Sequence, residues 1–287
     1  MKTRLPHQLR THLAWLVALS FSLPTPLHAV VDVIIDPGHG GHDIGAPGFN
    51  GDPVPNEEQL ALAVSQALEL RLLILGFTSR LTRTTDFFFE LNQRAEIASG
   101  QRANENGFVD TCDLFISIHL DGNDNNAIFG SQVFYSPTKY FSKKKDAFQS
   151  SKDAAEAINP DFMANAAVVF VEGFCHHARE ITAKGYRVLR KSTPPAVLIE
   201  VCFLSNFCQF TEIQKAGDQN QIAAGIAAGV SGYLNAPKRT NSGAIASDRV
   251  VPAPRSRGLT LQEGFEGVTF PPTGWTVETS GAPAPHV

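Results

Sequence analysis

The alternation of apolar and polar stretches along the chain sets out a series of short strands and longer helices. Residues 30–36 (VVDVIID) form a β-branched run ending at Pro37-Gly38, the pattern of a buried strand feeding a loop. Residues 57–75 place Leu60, Leu62, Ala63, Ala67, Leu68 and Leu70 at mostly helical spacing, and Gly76 supplies a stop. A short strand over 78–81, a helix around 91–98 and a polar loop follow. Residues 112–120 (CDLFISIHL) are a second apolar run between polar flanks, and 130–136 (GSQVFYS) read as one more strand. The segment 137–160 carries Lys143, Lys144 and Lys145 among many polar residues and reads as an exposed excursion, with a helix expected over 164–177. PAVLIEV, residues 195–201, is the last strong core strand, and 219–234 has the small-residue periodicity of a closing helix. Strands alternating with helices predict an α/β fold, a mostly parallel sheet flanked by helices, in a single domain over residues 30–235.

Both ends depart from that pattern. Residues 1–29 combine Lys2, Arg4 and Arg10 with an apolar run over 13–23, then Pro24 and the small residue Ala29. This reads as a secretory signal peptide, since the apolar run is well short of the roughly 20 residues that cross a bilayer. Its removal takes His7, His12 and His28 out of the mature protein. No later stretch is long and apolar enough to span a membrane, so no stable membrane insertion is expected after cleavage. Residues 236–260 are rich in Pro, Ser, Gly, Arg and Lys and read as a linker. The remaining 261–287 are aromatic and turn-rich but too short to enclose a core, which leaves an incomplete C-terminal β-module or a disordered tail.

Composition narrows the partners. With 287 residues, 43% hydrophobic, the chain can build a sizeable core. A net charge of −4 with 18% charged residues gives no broad basic surface, which argues against nucleic acid as a partner. Cys112, Cys175, Cys202 and Cys208 would meet an oxidising compartment after export, where they form one or two disulfides or stay as buried thiols. No CxxC pair offers a cysteine metal site.

Four residues then carry chemistry. His39 lies in the turn DPGHGG directly after the first strand, and His119 ends the apolar run FISIH. In a parallel sheet the carboxyl ends of strands share one edge, so the two imidazoles can converge there as metal ligands. His42 lies beyond the glycine turn with no strand to orient it, and His176 and His177 read as a solvated pair on a helix. A catalytic zinc needs a third protein ligand and an open fourth position. Either Glu57, at the start of the first helix, supplies that ligand, or Glu57 and Glu58 serve only to complement the positive helix N-terminus. Glu200 is a carboxylate inside the apolar strand AVLIEVCFL. Such a group is either paired structurally or raised in pKa for proton transfer. Asp36 either orients a ligand imidazole or caps the turn.

Taken in order, DPGHGG, a glutamate before an apolar helix, FISIH and PAVLIEVCFLSN make the chain resemble the zinc-dependent N-acetylmuramoyl-L-alanine amidases of the Amidase_3 type over about residues 30–234. The resemblance implies Zn2+ held by His39, Glu57 and His119, with Glu200 as the catalytic glutamate. Glu57 is preferred to Glu58 because it keeps the family's interval to Leu62. The implied substrate is peptidoglycan, cut at the amide between N-acetylmuramic acid and L-alanine by a periplasmic or secreted enzyme. The identity of any protein activator is left unknown. Three departures stand out: Cys202 where the family usually has glycine, Leu120-Asp121-Gly122-Asn123 after the SIH motif, and a longer stretch between Arg94 and Cys112. The rivals are a zinc peptidase or deacetylase acting on another polymer, and a catalytically inactive cell-wall binding module of the same fold.

Overall fold

The computed structural model describes residues 29–52, 54–137, 145–171 and 174–236. The predicted signal peptide, the linker and the C-terminal segment lie outside the described residues, as does the lysine-rich part of the expected excursion over 138–144. In chain order the elements are β1 (Val30–Pro37), a 3-10 turn (Phe49–Gly51), α1 (Glu57–Ile74), β2 (Ser79–Leu81), α2 (Leu91–Ala98), β3 (Thr111–Asp121), β4 (Gln132–Tyr135), α3 (Lys145–Val169), β5 (Thr182–Ala183), α4 (Arg187–Lys191), β6 (Ala196–Phe203), α5 (Phe207–Ile213) and α6 (Ala216–Asn235). They build one six-stranded sheet ordered β2-β1-β3-β6-β4-β5. β1 pairs in parallel with β2 and β3, and β3 with β6. β4 runs antiparallel to β6 and parallel to β5.

The continuous apolar runs of β1, β3 and β6 follow from helices covering both faces of this sheet. On one face Val33, Ile35, Ile116, Ile118, Val197 and Ile199 pack with apolar residues of α1, α3 and α6. On the other, Ile34, Phe115, Ala196 and Leu198 meet Ala98 from α2 and Val188 and Leu189 from α4. The register across the central strands places Pro37 opposite Ile118 and His119 opposite Glu200, so the carboxyl ends of β1, β3 and β6 share one edge.

The structure corrects several expectations. In α1 the buried face is Leu60, Ala61, Val64, Leu68 and Leu72, whereas Leu62 is partly exposed and Leu70 is exposed. Leucine supports a helix wherever it sits, so counting leucines gives the right element with the wrong face. The expected excursion is α3 from Lys145 onward, and the helix passes straight through Pro160. Its residues Ala155, Ile158, Phe162 and Ala166 lie three or four apart on one stripe, flanked by Ala154, and all are fully buried. α6 comes close enough that a Cβ at Gly229 would sit 2.5 Å from the Ile158 Cα, which explains the small residues along α6. α3 ends at Val169, well before the expected end at His177. His176 is therefore in a loop and buried, not solvated on a helix, while His177 is exposed. Cys175 and Cys208 form a disulfide with Cα atoms 6.1 Å apart, tying the segment after α3 to α5. Cys112 and Cys202 remain thiols, Cys202 in the core. No helix among the described residues is long and apolar enough to cross a membrane.

Candidate metal centre and its cleft

A loop, a strand end and a helix start bring three candidate ligands, two imidazoles and a carboxylate, together at the sheet edge. Glu57 is the first residue of α1, and Asn56 caps that helix by accepting the Gln59 backbone N–H at 3.3 Å while the Gln59 side chain accepts the Asn56 N–H. This cap orients the first turn so that the Glu57 carboxylate points into the site. Its Oε1 lies 2.9 Å from His39 Nε2 and 2.9 Å from His119 Nδ1. Oε1 also accepts the Leu120 N–H at 3.1 Å, and Oε2 accepts the Ala46 N–H at 2.8 Å. One ligand atom from each of the three residues lies within 4.8 Å of the others, a set that can hold a metal ion. Of the two acidic residues opening α1, it is Glu57 that meets both imidazoles. Glu58 accepts from the Asn56 side-chain amide and shares a hydrogen bond with Asp86; burial first, and then Asp86, raise its carboxyl to about 7.

The donor set fits a divalent first-row cation: two imidazole nitrogens and a carboxylate converge, and one side is left open toward a cleft. The groups already attract one another electrostatically. Burial opposes the charge on Glu57, but hydrogen bonds and charges from His119 and His39 outweigh it and hold its carboxyl far below the usual range. Burial likewise lowers the affinity of His39 for a proton, but Glu57 and Asp43 more than reverse this.

The histidine turn is held from behind. His39 takes a left-handed backbone conformation (φ 59°), rare for a non-glycine residue and found where surrounding contacts over-determine the chain. Those contacts come from two buried arginines. Arg94 donates to the carbonyls of Pro37 (2.7 Å), His39 (2.5 Å) and Phe89 (3.0 Å) and to the Asp36 carboxylate (2.8 Å). Arg83 donates to the carbonyls of Pro37 (3.0 Å), Gly38 (2.7 Å), Glu58 (2.8 Å) and Thr85 (2.9 Å). Gly38 is needed where it stands, because a Cβ there would lie 2.4 Å from Cε1 of the His119 ring.

Of the two roles that the sequence leaves open for Asp36, orienting a ligand imidazole is not the one it performs. Asp36 is fully buried and accepts from Thr82, Ser117 and Arg94, which ties the end of β1 to its neighbours. Asp43, which sequence reasoning missed, is the acidic neighbour of that ring, with Oδ2 2.9 Å from His39 Nδ1. Its four-residue offset from His39 was the available signal. His42 is outside the cluster and packs on Phe88 at 4.1 Å between ring centroids.

Glu200 lies beside the cluster through its register with His119. Part of the side chain faces the cleft, while its Oε2 is sealed from solvent and has no hydrogen-bond partner. Burial, and then the negative charges of Glu57 and Asp121, push its carboxyl well above the ordinary range. The cleft in front of these residues encloses about 360 Å3. Its floor includes His39, Glu57, His119 and Glu200, and its far wall is formed by Leu91 and by Tyr186, Arg187 and Val188 at the start of α4.

The model of the N-acetylmuramoyl-L-alanine amidase family, Amidase_3, matches residues 33–232. Among curated relatives, the amidase LytC of Bacillus subtilis is 29% identical over 201 residues, covering 70% of this chain and 35% of LytC. The amidase AmiA of Escherichia coli is 29% identical over 231 residues, covering 71% of this chain and 76% of AmiA. The chain thus spans about a third of one relative and three quarters of the other. Among solved structures, the catalytic domain of the amidase CwlV from Bacillus (Paenibacillus) polymyxa superposes with a TM-score of 0.57 at 30% identity, over 72% of this chain and 98% of that one.

Proposed function

The chain belongs to the N-acetylmuramoyl-L-alanine amidase family, and we propose that it is an exported, zinc-dependent peptidoglycan amidase whose proton-transfer group is Glu200. The observation that carries this reading is the Glu57 carboxylate set between His39 and His119, with a partnerless Glu200 oxygen beside them. Export is supported by the Cys175–Cys208 disulfide, a bond that persists in oxidising compartments.

His39, Glu57 and His119 would hold the zinc ion, which when bound supplies Lewis acidity that acidifies water and polarises an amide carbonyl. The bond cut is the C–N bond between the lactyl carbonyl of muramic acid and the nitrogen of L-alanine. A C–O bond forms to water, so the products are a lactyl carboxylate and a peptide with a free amine. Glu200 takes the proton from the attacking water and delivers it to the departing nitrogen. An environment that favours its protonated form suits a group that must carry a proton between those steps. Asp43 places its negative charge beside the His39 ring, and Arg83 and Arg94 hold the turn that presents it.

The test is to incubate the purified full chain with intact peptidoglycan, with and without a chelator. Release of peptides with a new N-terminal alanine, stopped by chelation and restored by Zn2+, is the expected result. Cleavage elsewhere in the polymer would indicate a peptidase or deacetylase, and binding without cleavage would indicate an inactive wall-binding module.

A further inference from the structure

The cleft continues past the metal cluster onto both sides of the sheet, and the two sides differ in chemistry. On the side of the α1/α3/α6 layer, Gly122 leads into a second hollow of about 510 Å3 whose lining residues include Asn50, Asn123, Asp124, Asn126 and Ser205 beside Pro47 and two further glycines. Phe49, next to Asn50, packs on that apolar layer. On the opposite side the wall is the start of α4, whose Val188 and Leu189 belong to the other layer. Arg187 stands there at the cleft, exposed.

Arg187 differs from the arginines that build the site. Arg83 and Arg94 are buried and spend their donors on backbone carbonyls and Asp36. Among the described residues Arg187 makes one side-chain hydrogen bond, its Nε donating to the Asn92 side-chain oxygen at 2.7 Å, and Asn92 is neutral. Among the described residues no carboxylate pairs with it. The guanidinium is therefore steadied on its Nε side, and although Glu57, Asp121 and Glu200 line the same cleft, none of them reaches it as an ion-pair partner. A steadied, unpaired guanidinium at a substrate cleft is matched by a carboxylate.

A wall amide has unlike flanks. One is a neutral sugar with hydroxyl and acetamido groups, and the other is a peptide whose second residue, a D-glutamate joined through its side chain, carries a free carboxylate. We propose that the substrate crosses the sheet edge with its sugar toward the asparagine-lined hollow and its peptide along α4, where Arg187 binds that carboxylate and selects for stem peptides in which it is not amidated. This rests on the amidase reading above and adds the polarity of binding and a specificity-determining residue to it.

Two soluble muropeptides that differ in one group test this: a disaccharide carrying L-Ala-D-Glu with the glutamate side-chain carboxyl closed as an amide, and the same molecule with the α-carboxylate amidated as well. Steady-state kinetics on the full zinc-loaded chain should show a lower KM for the free carboxylate. R187Q should raise that KM about ten- to hundredfold, the range for loss of a hydrogen bond to a charged group, with the loss in KM more than in kcat. R187K, which keeps a point charge without the fork, should recover part of the preference. A thermal melt of each variant reports whether it is folded, which the exposed position favours. Equal KM values for the two substrates with the unmodified chain, or an undiminished preference in folded R187Q, overturn the assignment of Arg187 while leaving the amidase reading intact. Cleavage of neither substrate overturns the amidase reading and this inference with it.

Discussion

The two walls of the cleft are built in opposite ways. The histidine turn from Pro37 to Ala46 is fixed by two buried arginines, a left-handed His39, a carboxylate behind its imidazole and a glycine with no room for a methyl group. The facing wall is a five-residue helix preceded by a two-residue strand, and Tyr186 and Arg187 at its start are exposed. Metal coordination tolerates errors of only about 0.2 Å in ligand position, so that half of the site is over-determined. Recognition of a polymer needs reach and adaptable polar contacts, so the other half is held lightly. Precision and selectivity are thus assigned to different walls of one cleft.

The largest effect should come from breaking the rigid half at its centre. His119→Ala should lose the metal and with it turnover, whereas Glu200→Gln should keep the metal and lose about 10²- to 10⁴-fold in kcat. Elemental analysis beside kinetics distinguishes the two. Loss of metal in Glu200→Gln would make Glu200 a ligand and end its assignment as the proton-transfer group.

Next comes a pair of arginine truncations, one in each wall. Arg94→Ala leaves the buried Asp36 without its cationic partner and should cost about 3–5 kcal/mol of stability, with weakened metal binding. Arg187→Ala removes an exposed side chain and should stay within about 0.5 kcal/mol of the parent. Denaturant melts measure both, and comparable losses would erase the contrast between the walls. The smallest effect is expected from ending the chain after Asn235. Metal content and amidase activity should match the full chain, and loss of either would show that the C-terminal segment packs on the catalytic domain.

Much of this is legible in the sequence because strand ends are. The β-branched runs before His39, His119 and Glu200 become β1, β3 and β6, and the rule that parallel strands share a carboxyl edge brings the two histidines together. Glu57 could be separated from Glu58 only by resemblance, since the choice depends on how the Asn56 cap turns the first helical residue, a local geometry that spacing does not carry. Arg83 and Arg94 escape recognition for a related reason. Their partners are mostly backbone carbonyls, and a carbonyl leaves no letter in the sequence. The error at α3 comes from composition: lysines, serines and Pro160 outweigh a stripe of alanines whose apolar role depends on the glycines of α6. Short elements such as α4 and α5 have too few residues to show a period.

The pairing of His119 with Glu200 also sets a clock. A chain made from its N-terminus, and exported in that order as proposed, presents the three candidate ligand residues long before β6, and β3 cannot gain its glutamate-bearing neighbour until residues up to Phe203 are available. Contacts that join such distant parts of a chain form late in folding. On the proposed chemistry, an unfinished or still-threading molecule is inert, and its capacity to cut the wall is switched on by completion of the sheet.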